Sequence, residues 1–478
     1  MRNKNIQMTL FESYDKVQTM LEDEKPELLK LLDEHINFQE LIPAELYWSF
    51  YRFTGRPRDY SLESFLRFLI LQKITGIFDD KAFLTILRMS RELRDFCGFD
   101  TVPHASQITR FRQTFANYFQ KIFERLVDIT EPICKEIDAK KADYLIYDPT
   151  GLTANVAENN PKFLNSKINN AKKLAKKNPN LNAHSLAYSQ MPETAKANPF
   201  VKQQYINGHF CYAHKIGVLS NGLGVVRHIE FFDENFRKKH PEVVSKKTDN
   251  PELDKEIADS VSLKPILSDY FETHPNFSHK TFLGDSSFDK YDIYSMLKKD
   301  FHFERMAIPL NLRNSKNSHD DFDEYGTPIC PIDKTPFTYL GESGGKNRSK
   351  RFKWVCHKSE TVKGTSKRIC TCQNPCTDSS YGRCVYTYPD KELRLYPGIP
   401  RNTEHWDNLY RHRTLVERSI YLLKQPLGGD CRKSFSSRTA KADIFIAGIV
   451  HLIGVVLAKA INKLENFKSL RKIVSNCA

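Results

Sequence analysis

Asp143-Tyr144-Leu145-Ile146-Tyr147-Asp148-Pro149-Thr150-Gly151 is where the chain changes character. The aromatic and β-branched run from Tyr144 to Tyr147 has the make-up of a short strand, and Asp148-Pro149 ends it. Before it, residues 1–140 read as an all-helical amino-terminal domain. Apolar residues recur there at three and four, as in Leu62, Phe65, Leu66, Leu69 and Ile70, with no strand alternation between them. After it, residues 214–219 and 223–231 read as strands flanking Asn221-Gly222, the strongest short hairpin signal in the chain. Residues 281–283 form a further strand that closes on Gly284-Asp285, and residues 306–310 another. Helical spacing returns over residues 251–271 and 291–297. Asp148 ends one apolar strand and Asp285 closely follows another, so these two carboxylates are preferred over their neighbours Asp143, Asp289 and Asp292 as candidates for chemistry. Asp289 is expected in the next helix, in a solvated or capping role.

At 478 residues the chain exceeds the size of one hydrophobic core, about 250–300 residues, so several structural units are expected. The units are residues 1–140, 141–312, 313–397 and 398–478. The second and fourth form one α/β unit interrupted by the third, which is rich in Gly, Ser, Lys and Cys and poor in periodic apolar stretches. Residues 162–180, with Lys172, Lys173, Lys176 and Lys177 clustered, read as a mobile surface segment. An apolar fraction of 40% beside 27% charged residues is that of a folded protein, not a fibrous or disordered one. Lys and Arg number 72 against 58 acidic residues, a net charge of +14 that favours a polyanionic partner. The eleven cysteines are odd in number and scattered, and the opening MRNKNIQMTLFESYDK lacks the apolar core and cleavage site of a signal peptide. A cytoplasmic, nucleoid-associated protein is expected. The apolar run 444–458 carries His451 and falls short of the roughly 20 residues a bilayer span needs, so it reads as a buried core helix and no membrane is expected.

The segment Tyr410-Arg411-His412-Arg413-Thr414-Leu415-Val416-Glu417-Arg418-Ser419-Ile420-Tyr421-Leu422-Leu423-Lys424 supplies the third candidate carboxylate. On one helix, Arg413, Glu417 and Lys424 fall at about 300°, 340° and 320° from Tyr410, so all four share a face. A carboxylate between cations suits a metal and the phosphate it activates. An amphipathic helix whose charges face water is the competing reading.

The spacing Tyr, two residues, Arg, three residues, Glu, six residues, Lys resembles the signature of one large branch of bacterial insertion-sequence transposases of the DDE type. Tyr144-Leu-Ile-Tyr-Asp148-Pro-Thr-Gly resembles that family's first catalytic strand, and Phe282-Leu-Gly-Asp285-Ser-Ser-Phe-Asp289 its second carboxylate motif. The stretch from Arg56-Pro-Arg-Asp-Tyr60 to Arg112 is similar to the helical domain that precedes the catalytic core there. The resemblance implies a ribonuclease-H-like mixed sheet flanked by helices, with the first Asp on strand one, the second after strand four and the Glu on a later helix. It implies that Asp148, Asp285 and Glu417 are catalytic and hold two Mg²⁺, with Mn²⁺ as a substitute, since phosphoryl transfer calls for hard oxygen ligands. Arg413 and Lys424 would hold phosphates and Tyr410 would stack on a base or bond a phosphate. The partners would be double-stranded DNA, as element ends and as target, and a second copy of the chain. A nuclease of the same fold without strand transfer and a non-catalytic end-binding relative are the alternatives.

Two further groups stand out. Cys330, Cys356, Cys370, Cys372, Cys376 and Cys384 lie in the insertion beside His357. Four of them, with Cys330, Cys356, Cys372 and Cys376 as candidates, would close a structural zinc site; free thiols are the other reading. Lys346, Arg348, Lys350, Arg351 and Lys353 precede Trp354, a pattern that suits DNA contact or a solvated basic loop equally. Residues 103–115 have the form of a second helix of a helix-turn-helix, with Ser106 as cap and Arg110 and Arg112 free to enter a groove, or of a plain scaffold helix.

Overall fold

The structure is a computed structural model that describes residues 26–52, 54–176, 182–206, 209–243, 257–311, 321–345, 348–365, 367–431, 434–467 and 473. Lys177, Lys346, the opening residues and the first part of the helix expected over 251–271 lie outside them.

Helices Glu27–His35, Phe38–Leu41, Ala44–Phe50, Leu62–Thr75, Asp80–Met89, Arg91–Cys97, Ala105–Thr114 and Ala116–Ala142 follow one another before the first strand. Short polar side chains start several of them. Ser61 accepts from the Ser64 amide, Asp79 from Ala82 and Ser90 from Leu93, each satisfying an amide that has no partner within its helix. The residue that caps the Ala105–Thr114 helix is His104, not Ser106. Its backbone is extended while Ala105 is already helical, and Gln107 bonds back to the His104 amide in a reciprocal capping box.

The main sheet contains β1 (Tyr144–Thr153), β2 (Thr194–Ala195), β3 (Asn198–Ile206), β4 (His209–Asn221), β5 (Val226–Phe231), β6 (Thr281–Leu283) and β7 (Arg305–Ala307). Its order is β2-β3-β4-β1-β6-β7, with β5 also paired to β4. β1 runs antiparallel to β4 and parallel to β6, which is parallel to β7. Side chains of β1 alternate between faces, as the strand period of two requires. Leu145 and Tyr147 pack with helices Asp259–Thr273 and Tyr291–Lys299; Tyr144, Ile146 and Leu152 pack on the other face with Ala116–Ala142 and Ser437–Ala460. The Ser437–Ala460 helix is apolar enough to cross a membrane, yet 89% of its apolar window is buried, and it lies against Ala116–Ala142, Leu62–Thr75 and Ala105–Thr114. It is a core helix, as its sequence suggests.

Several expectations give way. Residues 161–175 form a helix, capped by Asn160 with Pro161 at its first position, in place of a mobile segment. The strand expected over 306–310 is Arg305–Ala307. The segment 313–397, expected as an insertion with few periodic stretches, holds β8 (Thr338–Gly345), β9 (Arg348–Val355) and β12 (Cys384–Thr387) in one sheet and β10 (Ser359–Thr361) with β11 (Arg368–Cys370) in another. Its core is small: Cys330, Phe337, Phe352, Trp354, Cys356 and Tyr396. Trp354 is at its centre, with Nε1 donating to Thr387 Oγ1 at 2.9 Å, so it offers no face to a nucleic acid.

Candidate active site

The parallel pairing of β1 and β6 sets two carboxylates side by side. Ile146 is in register with Leu283, and Asp148 and Asp285 each lie two residues further on, where the chain leaves the parallel pair. Ligand crevices in open α/β sheets form at such carboxyl ends. The turn that delivers Asp285 is tight: a Cβ on Gly284 would meet the Phe288 ring at 2.9 Å and Phe282 at 3.1 Å. Asp285 itself caps the short 3₁₀ turn Ser286–Phe288, accepting from the Ser287 amide at 2.8 Å.

The third carboxylate arrives on the Thr414–Lys424 helix, which lies against β1 and β4. Ser419 Oγ anchors it, donating to Gly224 O of the hairpin turn at 2.9 Å. The segment from Tyr410 to Lys424 is not one α-helix as its spacing suggested. Glu404–Tyr410 ends, Arg411–Arg413 forms a 3₁₀ turn, and the second helix begins at Thr414. Dihedrals stay right-handed helical through Tyr410, Arg413 and Thr414, so the phase nearly survives the joint.

Arg413 links the cluster. Its Nη2 lies 3.5 Å from Asp148 Oδ1, and its Nη1 bonds Glu417 Oε1. The Asp148 carboxyl is pushed up to about 7, first by burial; Arg413 opposes this, and the charges of Asp285, Glu417 and Asp259 add to it. The Tyr410 phenol is also raised by burial, with Arg413 lowering it and all three carboxylates adding to the rise. Tyr410 stacks on Trp406 with an interplanar angle of 16°. Lys424 is held differently: Nζ donates to Gly151 O on β1 at 2.6 Å and lies 3.6 Å from Asp430 Oδ2. Burial raises the Asp430 carboxyl to about 6.

Charge crowding of this kind, with oxygen donors only, fits a hard divalent cation, which would relieve the repulsion that lifts Asp148. As folded, among the described residues no three His, Cys, Asp or Glu side chains converge on a metal-holding point. Among the clustered cysteines, the thiol of Cys372 is raised by its neighbours Cys370 and Cys356 together with burial, and that of Cys376 by burial with the charges of Cys330 and Cys356 adding to it. Among the described residues these thiols do not close around a common centre.

Neighbouring acids fall outside the site. Asp143 accepts from the Lys280 amide at 3.0 Å, tying the start of β1 to the approach of β6. Asp289 is neither solvated nor helical: it is buried, pairs with Arg394 Nη2 at 2.6 Å and accepts from the Asn311 amide at 2.7 Å. Among the cations, Arg110 is exposed, whereas Arg112 is 1% exposed, bonds Asp80 at 3.0 Å and lies 3.4 Å from Asp443. Arg112 is therefore a core ion-pair residue, not a groove reader. Asp259 and Asp430 were not legible as members of the site; each depends on a contact between segments far apart in the chain.

Residues 17–114 match the family model described as Transposase domain (DUF772). The match supports a transposase; its described residues all precede the sheet, and it covers none of the three carboxylates. No curated protein matches the chain. Among solved structures it is similar to a cryo-EM structure of a piggyBac transposase synaptic complex with hairpin DNA, at 11% identity over 96% of this chain and 86% of that one. The TM-score of 0.27 is too low to carry an argument about fold or function.

Proposed function

We propose that this chain is a DDE transposase of the Tyr-Arg-Glu-Lys branch, which binds the terminal inverted repeats of its element, cleaves the DNA and transfers the strand to a target. The observation that carries the reading is the register of β1 and β6, which brings Asp148 and Asp285 to the same level, with Glu417 joined to them through Arg413. The run β5-β4-β1-β6-β7, with β6 and β7 parallel to β1 and β4 antiparallel to it, supports a ribonuclease-H-like core.

Asp148, Asp285 and Glu417 would hold two Mg²⁺, or Mn²⁺ in their place. Bound there, the ions would activate water or a 3′-hydroxyl and stabilise the leaving oxygen. The chain's own groups do the rest. Arg413 offers a fork that matches phosphate, Lys424 a point charge placed beside β1, and Tyr410 a phenol over the carboxylates. The partners are double-stranded DNA and a second protomer, since two ends must be held together; the compartment is the cytoplasm.

Replacing Asp148 or Asp285 by Asn, or Glu417 by Gln, is expected to abolish Mg²⁺-dependent strand cleavage while duplex binding persists. Asp143→Asn, which only loosens the entry to β1, keeps activity. Cleavage by all three amides would refute the metal centre. Cleavage without strand transfer in the unaltered protein would favour a nuclease, and neither activity a non-catalytic binder.

For the insertion we propose a structural zinc on Cys330, Cys356, Cys372 and Cys376. The support is a small core with two of these thiols buried in it and no disulfide among the described cysteines. Metal analysis of the purified chain should find about one zinc per chain. Zinc-free protein with an intact insertion would remove this proposal alone.

A further inference from the structure

We propose that Arg413 is a latch on the carboxylate cluster: in the free protein it holds Asp148 and Glu417, and a DNA phosphate draws it away, so that divalent cation binds well only once DNA is engaged. This rests on the metal-centre reading above and adds a regulation to it.

Five observations carry it. Arg413 sits at the joint between two helices, on the 3₁₀ turn Arg411–Arg413, where a small change in dihedrals swings a long side chain. Its guanidinium already spans two of the three carboxylates, through Nη2 to Asp148 at 3.5 Å and Nη1 to Glu417. The third, Asp285, is engaged with Ser287 through its amide at 2.8 Å and its hydroxyl. In that arrangement the carboxylates do not converge on a shared cation position. Finally, Arg413 Nε is buried and has no hydrogen-bond partner among the described residues.

A guanidinium and a divalent cation compete for the same oxygens, and each repels the other. The hold on Glu417 is weak, because that side chain is 50% exposed and water screens the pair. Phosphate answers Arg413 better than either carboxylate alone: it accepts the fork from two nitrogens and gives a partially stranded guanidinium a full set of acceptors. Withdrawal of Arg413 then frees Asp148 and Glu417 together. Thermodynamic linkage makes the effect reciprocal, so bound cation must tighten DNA binding by the same factor that DNA tightens cation binding.

The test measures Mn²⁺ binding to the full chain by electron paramagnetic resonance, with and without a short duplex of arbitrary sequence. The unaltered protein should bind Mn²⁺ weakly alone and roughly tenfold more tightly with duplex. Arg413→Gln should bind Mn²⁺ roughly tenfold more tightly without DNA and lose most of the gain from duplex. Arg413→Lys, which retains the charge, should fall between and serves if the glutamine variant does not fold. Equal affinity of the unaltered chain and both variants in the absence of DNA overturns the latch. If Asp148→Asn and Asp285→Asn leave Mn²⁺ binding intact, the metal centre itself fails and the latch with it. If they abolish binding while Arg413→Gln has no effect, only the latch fails.

Discussion

Asp148 is held in a place that suits it badly as an isolated carboxylate. Burial, and the nearby charges of Asp285, Glu417 and Asp259, outweigh Arg413 and lift its carboxyl to about 7. The sign of the effect on stability follows from that direction. An unfolded aspartate releases its proton near pH 4, while the folded protein keeps it to about 7, so the folded state holds the extra proton between those values. The contribution to stability is best below the unfolded value, declines as pH rises through the window and is fully unfavourable above about 7. Asp148→Asn should therefore stabilise the metal-free protein at pH 8 by about 1–3 kcal/mol, with the gain fading toward pH 4. Thermal unfolding at the two pH values checks it; a variant that melts lower at pH 8 would contradict the electrostatic account. The preference for Asp148 over Asp143 rested on a strand end at Asp148-Pro149, whereas β1 runs on to Thr153 beside β4; the change of residue type falls where β1 parts from β6. The burial of Asp289 was not legible in the sequence, because its partner Arg394 lies more than a hundred residues away and nothing local marks the pair.

At the scale of elements, the helices that carry their own start signals were readable and those defined by distant partners were not. Ser61, Asp79 and Ser90 mark helix starts by local chemistry. Two things hid the strands of the segment 313–397: β12 pairs with β9 only across the 29 residues or more that separate Val355 from Cys384, and charged residues along β9 mask its alternation. Arg112 shows the same blindness within a helix whose limits were nearly right. It lies two positions from Arg110, on a helix that turns 100° per residue, so one arginine faces solvent and the other the core. Arg112→Ala should cost about 3–5 kcal/mol, because Asp80 and Asp443 would be left buried without it. Arg110→Ala should change stability by no more than about 0.5 kcal/mol. If Arg110 meets a DNA phosphate, its loss also lowers the slope of log affinity against log salt by about one. Paired denaturant melts of the two variants decide this, and equal losses would mean that the buried pair has been misjudged.

Over the whole molecule, the helical region that precedes the sheet is not a detachable module. Its residues Leu66, Leu69, Phe119, Phe123 and Val127 share one apolar cluster with Ile446, Ile449, Val450 and Ile453 of the Ser437–Ala460 helix and with Ile229 of β5. Buried charges bind the same parts together: Lys73 lies 3.2 Å from Asp443 and donates to Gly428 O at 2.9 Å, and Arg227 of β5 lies 3.0 Å from Glu131. The boundary near residue 140 marks a change from helix to strand, and the core continues across it. A fragment of residues 26–142 would expose the faces now covered by Ser437–Ala460 and β5, and would part Lys73 and Arg112 from Asp443 and Glu131 from Arg227. Burial of a large aliphatic side chain is worth roughly 1.5–3 kcal/mol, so losing that interface removes more than a domain's usual net stability of about 5–15 kcal/mol. The fragment alone should therefore be helical by circular dichroism but melt without a cooperative transition and self-associate. Added residues 143–478 should restore a cooperative melt. A fragment that unfolds sharply as a monomer would show that the amino-terminal helices form a domain of their own, and the shared core would then be a docking surface between two folded units.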